Sequence, residues 1–403
     1  MLRYLTAGES HGKGLTVIIE GLPSGLLLDE EYIARDLSRR QKGYGRGGRM
    51  QIESDHAEIL SGVRHGRTLG SPLALLIPNK DFVNWTKVMS TVPVHEPGNT
   101  ISRLRPGHAD LPGTMKYAQD DVRNILERAS ARETAARVAA GAVSRRFLEE
   151  FGIKVYSHVV NIGGVKADYL HPVDWERVEQ SPVRCADAKA EPLMISRIDE
   201  AKASGDTVGG MVEVVAVGVP IGLGSHVHWD RKIDGRIAQA LMSINAVKAV
   251  AIGEGWESAD LLGSQYHDVI QPVRDKSKVS KTVSPYPTAS GPWHRLTNRG
   301  GGTEGGMTNG MPIIARFVVK PISTMAQPLP SVDLVTGEEV RAHYERSDVC
   351  QVPPAGVIGE AMVAFELAVA FQEKFGGDNI EEARRNFQGY QKTVRLRGDS
   401  LKE

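Results

Sequence analysis

Residues 39–49 read Arg39-Arg40-Gln41-Lys42-Gly43-Tyr44-Gly45-Arg46-Gly47-Gly48-Arg49, with five cations, four glycines and no acid. Arg103-Leu104-Arg105-Pro106-Gly107-His108 is a second basic loop, Arg128-Ala129-Ser130-Ala131-Arg132 a third, and Arg341, His343, Arg346 and Asp348 follow late in the chain. Arginine grips phosphate and carboxylate with paired N–H donors. Glycine beside it lets backbone N–H groups approach an anion. Taken singly, each segment reads as solvated basic surface. Brought together, they would form a pocket for a small molecule with several negative groups. An RNA-binding Arg-Gly segment is the competing use, but only Tyr44 supplies the aromatic interleaving such segments need. His11 and His108 lie among these cations, and histidine is the side chain suited to proton transfer near neutral pH.

Three further patterns imitate known sites. Gly8-Glu9-Ser10-His11-Gly12 fits the G-x-S-x-G nucleophile elbow, which requires a strand before its serine and a helix after it. Here Leu15-Thr16-Val17-Ile18-Ile19 follows and reads as a strand, which argues against a serine hydrolase. Gly43-Tyr44-Gly45-Arg46-Gly47-Gly48 and Gly300-Gly301-Gly302-Thr303-Glu304-Gly305 both fit G-x-G-x-x-G. A dinucleotide fingerprint leaves a strand and opens a helix. The first instead follows a helical pattern and the second precedes a strand. His226-Val227-His228 has metal-like spacing, but only Asp230 accompanies it, so a solvated loop and no metal are expected.

The elements that must position these groups belong to a chain of 403 residues whose 49 Lys and Arg balance 49 Asp and Glu. No global basic field exists to hold a nucleic acid or an anionic membrane, so the useful quantity is local charge. Two cysteines cannot build a disulfide framework, which points to a reducing compartment. No signal peptide is visible, and a cytoplasmic protein is expected. Runs at 15–19, 73–77, 155–162, 211–217 and 313–319 read as strands. Asp29 reads as a helix N-cap, with Leu28 and Ile33 as its staple and the helix ending near Arg40. An apolar stripe through Ala135, Ala139, Val143 and Phe147 predicts a helix over 122–150, rich enough in alanine for close packing. Ile233, Ile237, Leu241 and Ile244 form another stripe. Residues 357–371 are apolar all round, predicting a buried helix that Gly376-Gly377 ends. That run contains Glu360 and Glu366, and it reads as too short and too charged to cross a bilayer. Asp378 with Glu381 is expected to cap a last helix. The strand and helix order is irregular, which favours α+β over a doubly wound sheet.

Read together, Gly8-Glu9-Ser10-His11-Gly12, Arg46-Gly47 after Arg39-Arg40, Arg105-Pro106-Gly107-His108-Ala109-Asp110, Arg128-Ala129-Ser130-Ala131-Arg132-Glu133-Thr134, Ser243-Ile244-Asn245-Ala246-Val247-Lys248, Gly305-Gly306-Met307-Thr308-Asn309-Gly310, Lys320-Pro321-Ile322-Ser323-Thr324 and Arg346-Ser347-Asp348 resemble the signature blocks of the chorismate synthase family. They stand in the family's order, and their joint occurrence is far more specific than any one block. The resemblance implies a lyase that converts 5-enolpyruvylshikimate 3-phosphate to chorismate and phosphate, the last step of the shikimate pathway. The reaction is a 1,4-trans elimination without net redox change that nevertheless requires reduced FMN.

The same resemblance assigns residues. Ser10, Arg40, Arg46, Arg49, Arg105, Ser130, Arg132 and Arg346 should hold the substrate. Arg128, Ala129, Ser130, Asn245, Ala246, Gly305, Lys320, Pro321, Ile322, Ser323, Thr324 and Arg346 should contact the flavin. His11 matches the histidine that protonates the leaving phosphate, and His108 the one that keeps reduced flavin suitably protonated. Asp348 matches the carboxylate that helps a flavin nitrogen act as base. NADP contacts are associated with the positions of Arg40 and Arg46, which are assigned first to the substrate. NADPH would serve only as the flavin's reductant, with an external flavin reductase expected. An NADPH-dependent flavin oxidoreductase is the alternative activity. The family also implies a homotetramer of single-domain β-α-β sandwiches, two antiparallel sheets enclosing helices. Residues 166–206 would then be a peripheral polar insertion, and 378–403 a helical tail read as mobile.

Overall fold

The computed structural model describes residues 2–47, 54–95, 98, 100–169, 171–272, 293–345 and 347–399. It contains two principal sheets, each paired antiparallel throughout. The first has the spatial order Arg3–Ala7, Gly14–Glu20, Leu73–Pro78, Glu58–Ser61. Its register sets Leu15 opposite Ile77, Val17 opposite Leu75 and Ile19 opposite Leu73, and all six side chains are buried on one face. Thr16, Ile18 and Glu20 alternate to the exposed face, as the two-residue period of a strand requires. The second sheet runs Val247–Ile252, Ile313–Val319, Gly210–Val217, Lys154–Ile162, Val165–Lys166.

Helices pack against the buried face of each sheet. Helix Thr134–Glu149 touches Gly14–Glu20 of the first sheet and lies along helix Val352–Phe375, which rests on Lys154–Ile162 and Gly210–Val217 of the second. The alanines permit this. A Cβ on Gly141 would come within 2.2 Å of the Ala361 Cβ, so these two helices approach almost to backbone contact. Gly359 likewise lies against Phe317, and a Cβ there would meet the ring at 2.7 Å. Helix Val352–Phe375 has 24 residues, longer than the apolar run alone suggested, and is long and apolar enough by composition to cross a membrane. It is instead almost wholly buried inside the fold, where its glycines and alanines are contact surfaces.

Helix Glu30–Gln41 starts at Asp29, whose carboxylate accepts the Tyr32 N–H at 2.8 Å, with Leu28 and Ile33 buried beside it. Two expectations are corrected. The stripe over 122–150 is two helices, Arg123–Ala129 and Thr134–Glu149, separated by an extended Ser130 and a 3₁₀ turn at Ala131–Glu133. Side chains fill the gap in the hydrogen-bond ladder: Asn245 Nδ2 donates to the Ala129 carbonyl at 2.9 Å, and Ser130 Oγ accepts the Arg132 N–H at 3.3 Å. The last helix, Ile380–Asp399, is capped by Asn379, whose Oδ1 accepts the Glu382 N–H, while Glu382 accepts the Asp378 N–H. That reciprocal pair displaces the expected Asp378 and Glu381. This helix docks on the core through Ala383 and Phe387. In the polar stretch 166–206, helix Ala190–Ala203 packs at the edge of the second sheet and buries Met194 and Ile198.

Candidate active site

Loops from both sheets and the broken helix meet around a cavity of about 430 Å³. Arg40, Arg46, Arg105 and Arg132 all line it, and the first, third and fourth are buried. Arg40 reaches it from the last turn of helix Glu30–Gln41. Its Nε donates to Thr134 Oγ1 at 3.0 Å, one terminal nitrogen donates to the Ala131 carbonyl at 3.0 Å, and the other to Asp55 at 3.3 Å. Arg132 donates to Asn79 at 2.9 Å and to the other oxygen of Asp55. Two buried arginines thus share one carboxylate. Burial pushes the Arg40 guanidinium down to about 10; Asp55 opposes this, and the like charges of Arg46 and Arg132 reinforce it. Such crowding of cations leaves a demand for further negative charge.

The two histidines line the same cavity, each held by a buried carboxylate that an arginine also contacts. His11 Nδ1 lies 2.8 Å from Glu127 Oε1, and the His11 backbone N–H donates to Glu127 Oε2 at 2.8 Å. Arg123 donates to the same carboxylate at 3.0 Å, and Trp85 packs on the imidazole with ring centroids 3.9 Å apart. Burial raises the Glu127 carboxyl, but the hydrogen bonds and charges of His11 and Arg123 outweigh it and hold the group below the usual carboxylate range. His108 Nδ1 contacts Asp110 at 2.5 Å, and Arg105 donates to Asp110 twice, at 2.8 and 3.0 Å. Asp110 is held well below its ordinary value: burial pushes up, and the bonds from His108 and Arg105 prevail. Asp348 accepts the Gly47 N–H at 2.7 Å on one oxygen and pairs with Arg46 at 2.7 Å on the other. It therefore fastens the glycine-rich loop to the cavity's rim.

Ser10 and Ser130 face each other, with their hydroxyls 3.1 Å apart. Ala129, Asn245, Ala246, Lys320, Ile322, Ser323 and Thr324 also line the cavity. Ala246 sits at φ +69°, which turns the chain sharply after Asn245. Burial and the neighbouring charge of Lys248 lower Lys320, marking a second place where cations crowd. Three residues expected here do not line the cavity. Arg128 turns outward to the Thr6 and Gly8 carbonyls, Gly305 occupies the hairpin between Thr303–Glu304 and Met307–Thr308, and Pro321 is left out between Lys320 and Ile322. Arg49 and Arg346 lie outside the described residues.

A family model described as chorismate synthase matches residues 2–371. The chain belongs to the chorismate synthase family. Among its relatives, a chorismate synthase of Symbiobacterium thermophilum is 53% identical over 98% of this chain and 100% of its own length. One of Bacillus subtilis strain 168 is 53% identical with the same coverage. A crystal structure of a chorismate synthase superposes with a TM-score of 0.76 at 44% identity, covering 98% of both chains.

Several residues of this chorismate synthase family site carried no role in the sequence reading. Asp55, Asn79 and Glu127 form the buried backing of the cavity, and the half-buried Trp85 packs on His11. Glu345, a lining residue, pairs with His343 at 3.3 Å and stands 4.0 Å from both Arg105 and Arg123. Asp110 stood in a quoted motif without a function. The usable signal was its spacing from His108, since only Ala109 separates the histidine from an acid able to fix it. Residues 8–13 form bends between two strands, and His228 meets Asp230 on an exposed loop. Among the described residues no group of three metal-ligating side chains occurs.

Proposed function

We propose that this chain is a carbon–oxygen lyase acting in the manner of its family: it removes phosphate from 5-enolpyruvylshikimate 3-phosphate by 1,4-trans elimination, giving chorismate. The observation that carries this reading is the union, on one 430 Å³ cavity, of four arginines with two histidines backed by carboxylates. A substrate with a phosphate and two carboxylates meets the charge demand of Arg40 and Arg132, which share Asp55, and can add to the partners that Arg46 and Arg105 have in Asp348 and Asp110. Arginine forks orient such a ligand as well as bind it, which turns the elimination into a positioned, unimolecular event.

Glu127 accepts from Nδ1 of His11, so a His11 imidazolium would hand its Nε2 proton to the departing phosphate and be left as the Nδ1–H tautomer. Ser10 and Ser130 add hydroxyl donors beside it. His108, anchored through Nδ1 by Asp110, is likewise committed to acting through its other nitrogen. For Asp348 to accept a proton it must yield one of its two present bonds, so the Arg46 loop and this carboxylate act together.

The opposite wall fits reduced FMN as cofactor. Lys320 supplies an under-neutralised cation, Asn245, Ser323 and Thr324 supply hydrogen bonds, and Ala129, Ala246 and Gly107 leave space for a flat ring. When bound, reduced FMN offers electron density that can be lent and recovered. Arg40 and Arg46 are tied to Asp55 and Asp348 at the substrate end, which favours substrate over NADP at those positions. We assign reduction of the flavin to an external reductase, NADPH entering only there. We further infer the family's β-α-β sandwich, supported by helices that touch the buried face of each sheet, and, from family membership, its homotetramer.

Anaerobic assays with reduced FMN should release phosphate and chorismate, and assays without flavin should release neither. Equal turnover without flavin would overturn the assignment. His11→Ala and His108→Ala should each lower kcat by about 10²- to 10⁴-fold with the fold intact, the range for lost acid–base assistance. Wild-type rates in both would remove their roles.

A further inference from the structure

We infer that Glu127 is a positioning residue: through a hydrogen bond to Nδ1 it aims His11 Nε2 at the reaction and fixes Nδ1–H as the tautomer left once the imidazolium has given up its Nε2 proton. The inference rests on the role proposed for His11. Glu127 is buried. Its Oε2 accepts the His11 backbone N–H at 2.8 Å, and His11 Nδ1 lies 2.8 Å from Oε1 and 3.0 Å from Oε2, so the same carboxylate fixes both the main chain and the ring. An acceptor there requires a proton on Nδ1. The Ser10 N–H also donates to the Glu127 carbonyl at 3.0 Å, tying the whole 10–11 turn to helix Arg123–Ala129.

Two further groups prevent the pair from relaxing. Arg123, one helical turn before Glu127, donates to Oε1 at 3.0 Å and keeps the carboxyl ionised. Its guanidinium also lies 5.1 Å from the Trp85 ring centre, and Trp85 covers the imidazole. The ring can neither swing away nor flip without losing a charged hydrogen bond and an aromatic contact. His108 with Asp110 and Arg105 repeats the plan on its own, so the cavity fixes each histidine by a separate acid and arginine.

Glu127→Gln is the informative variant. A glutamine has one acceptor oxygen. With that oxygen on the His11 backbone N–H, the amide NH₂ takes the Oε1 position nearest Nδ1 and favours the neutral ring with its proton on Nε2, a far poorer proton donor than an imidazolium. The predicted result is a kcat lowered by about 10²-fold, as expected for a lost acid–base group, with KM changed less than about threefold. Nitrogen-15 NMR of histidine-labelled protein should show the His11 proton on Nδ1 in the wild type and on Nε2 in Glu127→Gln. Glu127→Asp should recover at least a tenth of the lost rate. In a His11→Ala background, Glu127→Gln should cost no more than about twofold further, since it acts through the absent ring.

An unchanged tautomer in Glu127→Gln, or full additivity with His11→Ala, would overturn the inference. The NMR result is independent of turnover. Failure of the wild type to make chorismate would therefore count against the functional reading, and an unchanged tautomer against this inference alone. Should Glu127→Gln fold poorly, Glu127→Asp carries the same NMR test, with Nδ1 protonation expected and its loss contradictory.

Discussion

Arg39 and Arg40 are adjacent in the chain and occupy opposite worlds. Arg39 enters a buried cluster in which Glu360 is shared by Arg39, Arg145 and Arg184, with Asp36 and Glu179 completing three acids for three arginines. Ser157 donates a further hydrogen bond to Glu360 at 2.7 Å. Arg40 enters the cavity, where Asp55 is shared with Arg132. Burial lowers both guanidinium groups, but around Arg39 Glu360, Glu179 and Asp36 together outweigh it and the net shift is upward, whereas around Arg40 burial and other arginines win. The balanced cluster has no unmet charge and holds the helices together. The unbalanced one asks for an anion, and that difference separates a structural arginine from a binding one.

The comparison breaks most visibly at Glu360. Glu360→Gln should cost about 3–5 kcal/mol of unfolding free energy, because three arginines would stay buried around a neutral amide. Chemical denaturation measures this, and a near-neutral effect would mean the cluster is not the structural element described. The same carboxyl sets an acid limit. Arg39, Arg145 and Arg184 overcome its burial and hold it well below the 4.5 it has when free. The fold therefore binds fewer protons than the unfolded chain. This stabilisation is complete above that value and is lost as the pH falls below it. Unfolding titrations between pH 6 and 3 should show a steep loss in the wild type and a flatter one in Glu360→Gln.

On the cavity side, Arg132→Met should weaken substrate binding by about 10- to 100-fold, the worth of a charged hydrogen bond of ~1.5–3 kcal/mol. Calorimetric titration reads it, and unaltered affinity would remove Arg132 from the site. The smallest effect belongs to the balanced cluster's rim. Arg35 is half exposed and 3.4 Å from Asp36, so Arg35→Ala should change stability by less than about 1 kcal/mol.

The contrast also marks what the sequence could reveal. Arginines, histidines and glycines announce their chemistry by type and clustering, so Arg40, Arg46, Arg105, Arg132, His11 and His108 were legible. Their partners were not. Asp55 is 77 positions from Arg132 and Glu127 is 116 from His11, and a lone acid carries no local mark of its partner. Nor could the run of cations say which way each points. Successive helix residues diverge by about 100°, so Arg39 and Arg40 had to face different surroundings, but only the packing of Glu30–Gln41 decides which. The strands at 15–19 and 73–77 were legible because their two-residue period is clean. The break at Ser130 was hidden because Ala129, Ala131, Ala135 and Ala136 keep the sequence rich in alanine on both sides of it, while the compensating hydrogen bond comes from Asn245, far along the chain.

The central claim is that charge imbalance, not burial or basicity, makes the site. Titrating 5-enolpyruvylshikimate 3-phosphate into Arg39→Met and Arg40→Met tests it on neighbouring residues. Arg39→Met should be less stable yet bind within about twofold of wild type, and Arg40→Met should bind about 10- to 100-fold more weakly. Equal affinities in the two variants, or a weaker Arg39→Met, would contradict the account.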